Sequence, residues 1–202
     1  MKDKIISKAK YLFLKIGFKS VTMDDIASEM GISKKTIYKF FSNKDELILT
    51  AIEEFHSEIL ASLTEIVSLN FNAIHENFVI KQKINEMFQI SESSPLYQLK
   101  KHYPLIYESI TKNQIELFKN YFRTNITKGI SEGLYRDTIY IEDYVDFYYI
   151  LIFAVNENNI SKRLVQEIEY KVLEYHLRAI ATPKGIIELE KQLQNQLQNQ
   201  LQ

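Results

Sequence analysis

The stretch TMDDIASEMGISKKTIYKFFSNKDEL, residues 22–47, decides how this chain folds. Thr22 stands three residues before Asp25, a good helix N-cap with acids in the first turn, and Ile26, Ala27 and Met30 follow before Gly31 stops the run. Ser33 can cap a second helix, and Asn43, three residues before Glu46, makes a capping-box pattern for the helix after it. Two short helices separated by the tight turn Met30-Gly31-Ile32-Ser33 form a helix-turn-helix arrangement over about residues 22–41. That arrangement serves to place its second helix in the DNA major groove.

Stepping 100° per residue around the second of these helices separates two faces. With Ile37 pointing inward, Phe40 and Phe41 flank it, which places the aromatic pair in the core. Lys35, Tyr38, Lys39 and Ser42 fall on the far side, with Lys34 and Thr36 at the edges. The exposed face therefore carries three lysines and a tyrosine but no acid. The same bias extends through residues 1–50, where ten lysines face six acids, although the whole chain has a formal charge of -1. A basic front end on an acidic body suits a polyanion-binding head. A solvated lysine-rich surface with no partner accounts for the charge equally well.

Outward from this stretch the chain reads as helix throughout. Before it, Ile5, Ala9, Leu12, Phe13 and Ile16 share one face and Gly17 supplies a left-handed cap. After it, helices are expected over 44–68, 73–91, 95–102, 104–132, 141–157 and 161–181, broken at Ser93-Ser94-Pro95, Tyr103-Pro104, Gly129 to Gly133 and Asn156 to Ser161. Five glycines and three prolines in 202 residues leave few of the turn signals a sheet protein needs, so the fold class is all-α. The last two long segments form a hairpin apolar on more than one face, through Phe147, Leu151 and Ala154 in the first helix and Val165, Ile168, Val172 and Tyr175 in the second. Such a hairpin can pair with its copy in a two-fold four-helix bundle, or be buried within the monomer. In the tail EKQLQNQLQNQLQ, leucines 189, 193, 197 and 201 recur every four residues. That spacing drifts around a helix and gives no sustained heptad seam, so the tail can either extend a helix or fray.

Other chemistries find little support. With no cysteine there is no disulfide, zinc-thiolate site or thiol nucleophile, which fits a reducing, cytoplasmic setting. Lysines interrupt the apolar N-terminal stretch, so no export signal or membrane span is expected. His56, His75, His102 and His176 lack metal-ligand spacing, and neither a nucleophile motif nor a glycine-rich phosphate loop is present. No metal, cofactor or catalysis is expected. A helical adaptor that binds protein through aromatic surfaces is the rival to a DNA-binding role.

Residues 13–48, FLKIGFKSVTMDDIASEMGISKKTIYKFFSNKDELI, resemble the TetR/AcrR transcriptional regulators. The Gly-Phe after the first helix, the Gly-Ile-Ser turn, the Thr-Ile-Tyr-x-x-Phe run and the Asn-Lys-x-x-Leu start of the fourth helix all fall at family spacing. The resemblance covers about the first 60 residues; farther on, the ending RAIATPKGI looks like that of Bacteroidetes-type members. It implies a three-helix helix-turn-helix head at 1–60, a helical ligand-binding and dimerisation domain at 61–185, and a low-complexity tail at 186–202. It further implies that Lys34, Lys35 and Tyr38 approach base edges while Thr22, Thr36, Lys39 and Lys44 contact phosphates. The hairpin residues would then form a homodimer on a palindromic double-stranded operator. Phe88, Tyr97, His102, Tyr103, Tyr107, Phe118, Phe122 and Tyr148 would line a pocket for a small hydrophobic or aromatic ligand. Many members have a small residue at the position of Lys35, so no relative's base preference carries over.

Overall fold

The computed structural model describes residues 1–91 and 93–200, which form ten α-helices with two isolated β-bridges. They are α1 (Lys2–Ile16), α2 (Met23–Met30), α3 (Lys34–Tyr38), α4 (Lys44–Ser68), α5 (Ala73–Met87), α6 (Pro95–His102), α7 (Pro104–Ser131), α8 (Ile141–Asn156), α9 (Lys162–Ile180) and α10 (Pro183–Gln200). The expected breaks are all present. α5 stops at Met87, four residues before the expected end, because Phe88 leaves the helical region and its N–H closes the last turn on Glu86 and Ile84.

The head is built from α1 to α3 and the first turns of α4. Ile5, Phe13, Ile26, Ile37, Phe41 and Leu47 are buried at its centre, and Phe13 stacks on Phe18 with ring centroids 5.5 Å apart. This core is not closed by the head alone. Leu99 of α6 and Ile110 of α7 are buried in the same cluster. Gly17 makes the close approach possible, but not as a left-handed cap: with φ 108 and ψ 147 it is extended in the mirror-image region that only glycine adopts readily. A side chain there would also meet Gln98, whose Oε1 lies 2.7 Å from the ideal Cβ position. That oxygen accepts the Phe18 N–H at 2.9 Å, and the Tyr103 hydroxyl donates to the Phe18 carbonyl at 3.2 Å.

The body packs α5 and α7 to α10 around Ile74, Ile126, Tyr135, Leu173, Leu177 and Leu189. A polar knot lies inside it. Glu76, 2% exposed, accepts from Lys128 Nζ at 2.6 Å, from Asn125 Nδ2 at 2.7 Å and from the Tyr121 hydroxyl at 3.3 Å. Asn77 and Asn125 both donate to the Ala73 carbonyl, so the knot satisfies itself.

The low-complexity tail extends as helix. α10 docks through Gly185, where a Cβ would lie 2.1 Å from the Leu134 carbonyl oxygen, and through the fully buried Leu189. Leu201 lies outside the described residues.

His176 sits in the body core against Tyr148, with ring centroids 4.6 Å apart. Burial pushes its imidazole down to about 4 from the ordinary 6.5, so the folded protein holds it neutral. The unfolded chain takes up a proton near 6.5, so this contribution to stability is complete above that pH and is lost as pH falls toward 4. Urea titrations across this range should show stability dropping by on the order of 2–3 kcal/mol through this group, and His176→Phe should remove that part of the slope.

Candidate nucleic-acid interface and ligand cavity

The exposed basic face rests on a helix of only five residues, α3. The Ser33 hydroxyl caps it by accepting the Thr36 N–H at 3.2 Å, and Ile37 anchors it with no exposed surface. The helix ends at Tyr38, and the chain then turns as the N–H groups of Phe40 and Phe41 both close on the Ile37 carbonyl. Helical stepping therefore fails beyond Tyr38. Phe41 is buried as expected, whereas Phe40, placed in the core by its spacing, is exposed.

Lys34, Lys35, Tyr38 and Lys39 are all exposed on one side of the head, and Thr36 is half-buried beside them. The Lys34 ammonium lies 2.6 Å from Asp24 Oδ2 on α2, and this hydrogen bond raises its pKa. Nothing in the spacing pointed to this pairing. The Thr22 hydroxyl is committed locally: it donates to Asp25 Oδ2 at 2.7 Å and accepts the Asp25 N–H at 3.1 Å, while Asp25 Oδ2 also accepts the Thr22 N–H at 2.8 Å. This reciprocal box fixes the start of α2 and leaves Thr22 no hydroxyl proton for a phosphate. Lys44, at the first position of α4, donates to the Lys19 carbonyl at 3.3 Å and lies over the Tyr103 ring. Two of its three protons remain available to an anion beside the helix N-terminus.

Behind the head, α1 and α4 to α9 border a partly open cavity of about 340 Å³, within the range of small-molecule pockets. Phe88, Phe118, Phe122 and Tyr148 line it. Tyr97, His102, Tyr103 and Tyr107 do not, because α6 and the start of α7 turn these groups elsewhere. Tyr103 faces the head, His102 sits near Lys19 and Lys101, the Tyr97 hydroxyl accepts from Lys101 at 3.0 Å, and Tyr107 donates to Glu157. The lining also includes Phe55 and His56 of α4, which follow the head in the same helix.

One wall of the cavity holds a buried ion pair between Lys81 of α5 and Glu169 of α9. Asn156 Nδ2 donates to the other Glu169 oxygen at 2.7 Å, and burial lowers the Lys81 pKa against the opposing pull of Glu169. Charged residues 88 positions apart give no local signal in the sequence.

On the outside of the body, Phe147, Ile150, Leu151 and Ala154 of α8 are exposed, as are Leu164 and Tyr175 of α9, while Ile168 and Val172 are half-buried. Val165, expected on this face, is instead buried and lines the cavity with Glu169, one turn farther along the inner side of α9. Among the described residues no helix is long and apolar enough to cross a membrane, and no cluster of three or more His, Asp or Glu is placed to hold a metal ion.

A helix-turn-helix head joined to a helical body is the arrangement of a class of transcriptional regulators, and known proteins of that class are similar to this chain. Residues 5–51 match the family model for bacterial regulatory proteins of the tetR family. The chain is 40% identical over 53 residues to the biofilm operon icaADBC HTH-type negative transcriptional regulator IcaR of Staphylococcus epidermidis, covering 26% of this chain and 29% of that one. It is 29% identical over 160 residues to YdeS, an uncharacterised HTH-type transcriptional regulator of Bacillus subtilis, covering 74% of each. A transcriptional regulator from Cytophaga hutchinsonii superposes with TM-score 0.72 at 17% identity, over 89% of this chain and 98% of that one. Matches confined to the head, as with IcaR, span under a third of those relatives' length. The head of this chain, residues 5–51, is that of the tetR-family bacterial regulators, and the body shares their helical fold.

The ion pair at the cavity wall is testable by itself. Glu169→Leu leaves a buried ammonium unpaired and should destabilise the protein by roughly 2–5 kcal/mol in urea unfolding. Adding Lys81→Met should recover most of that loss.

Proposed function

We propose that this chain is a ligand-responsive repressor that acts in the cytoplasm and binds a palindromic operator as a homodimer. The observation that carries this reading is the acid-free face of α3, where Lys35, Tyr38 and Lys39 are exposed on a helix held by the buried Ile37. Lys34, Lys35 and Tyr38 read base edges, lysine amines donating to guanine O6 and N7, while Lys39, Thr36 and Lys44 hold phosphates. Thr22 serves as the cap that orients α2. For Lys34 to reach a base it must exchange Asp24 for DNA, a small loss for an exposed pair in water. Residues 1–60 form the DNA-binding head and 61–185 the regulatory body, with the following helix as a strut.

Dimerisation is supported by the exposed apolar stripe on α8 and α9, which two copies bury together. Repression is supported by the likeness of the head to that of IcaR, a negative regulator. The partly open apolar cavity, with α4 running from it to the head, supports response to a ligand.

In gel-shift and anisotropy titrations against the DNA upstream of the chain's own coding region, Tyr38→Ala should weaken operator binding at least tenfold over random DNA. Lys44→Ala should weaken all sequences alike and reduce the salt slope by about one. If neither variant changes binding, the assignment of α3 fails. Phe147→Glu should shift the protein to monomer in analytical ultracentrifugation, because it places a charge in the apolar stripe. A dimer of unchanged affinity would place the interface elsewhere.

A further inference from the structure

Two buried polar atoms in the described structure have no hydrogen-bond partner, His56 Nδ1 and Ser91 Oγ, and both residues line the cavity. Unpaired buried polar atoms are rare and unfavourable, so two in one cavity call for an explanation. The rings of Phe55 and Phe88 meet edge to face at 5.0 Å, which holds the His56 stretch of α4 against the segment that leads from α5 to Ser91. The two orphaned atoms thus face the same cavity from separate elements.

Most of the charge around them is matched: Lys81 pairs with Glu169 inside, and Lys10 pairs with Glu54 at 2.9 Å and with Glu58 at its rim. Lys162, half-buried in the lining, donates to the Gln89 carbonyl, and burial lowers its pKa. Burial pushes the His56 imidazole down to about 4, so at neutral pH it presents one donor and one acceptor without charge. An ionised head group would lose its hydration in this interior, a cation with no free carboxylate to meet it and an anion with only the half-buried Lys162, whose charge burial already disfavours.

Given the reading of this cavity as the regulatory site, we propose that it binds an uncharged amphipathic molecule, an apolar body carrying a hydroxyl or carbonyl that hydrogen-bonds to His56 Nδ1 and Ser91 Oγ. The aromatic and aliphatic walls take the body, and the two neutral polar groups select the head.

Calorimetry on the full chain at pH 7.5 with n-octanol, octanoate and octylamine tests this. Octanol should bind once per chain and at least tenfold tighter than either charged analogue. Ser91→Ala and His56→Phe should each weaken octanol about tenfold while leaving thermal stability equal or higher, since each removes an unsatisfied buried group. Octanoate binding as tightly as octanol would overturn the proposal in favour of an anion held by Lys162. It would also be overturned by no binding of any probe, or by octanol affinity unchanged in both variants. A gel shift on the same samples separates the two readings. Intact DNA binding without octanol binding rejects only the ligand class, whereas octanol binding without DNA binding rejects the repressor role and leaves the cavity assignment standing.

Discussion

A helix of five residues has no stability of its own, since isolated helices in water need about 12–15 residues to be even marginal. Everything the head can do at α3 therefore depends on what holds that single turn in place: the Ser33 cap, the burial of Ile37 and the seat of Phe41 just after it. Those anchors in turn sit in a core that Leu99 and Ile110 complete from the body. The orientation of the lysine face is thus not a property of residues 34–38. It is set by a cluster to which α6 and α7 belong, so a shift in either helix is felt where the exposed side chains stand.

The body separates two uses of buried polarity. Around Glu76, donors and acceptors are matched within one knot, and such a network rigidifies the place where α5 meets α7. Around the cavity the matching is incomplete. The Lys81 and Glu169 charges cancel, but His56 and Ser91 keep atoms without partners. A fold selected for stability alone has little reason to keep those atoms, and both border one cavity, which is the ground for proposing a binding site there.

Local signals in the sequence were read reliably because their physics is local. The capping residues Thr22, Ser33 and Asn43 and the glycine and proline breaks act within a few residues, and each marks the start or end of the expected helix. Helix faces are less legible, because which side is buried depends on a neighbour distant in sequence. Helical stepping puts Phe40 in the core, but the early end of α3 interrupts the stepping and leaves it exposed. Tyr97, His102, Tyr103 and Tyr107 have the composition of a pocket, yet their segment turns toward the head and solvent. Val165 shares its helix with outward-facing residues but lies on the inner side. The polar cavity groups come from α4, α5, the segment after α5 and α9, and only tertiary structure brings them together.

The leucine repeat of α10 limits its own docking. Four residues advance a helix by 400°, so each successive leucine is rotated about 40° from the last. Leu189 is fully buried, Leu193 is partly buried against the body core, and Leu197 is 62% exposed. The stripe winds off the protein within two repeats. A repeated Leu-Gln-Asn-Gln tract can thus gain or lose distal copies by slippage during replication without altering the packed protein, while a change at Gly185 or Leu189 would be felt at once. Low complexity here conceals a gradient of constraint, steep at the first leucine and nearly flat by the third.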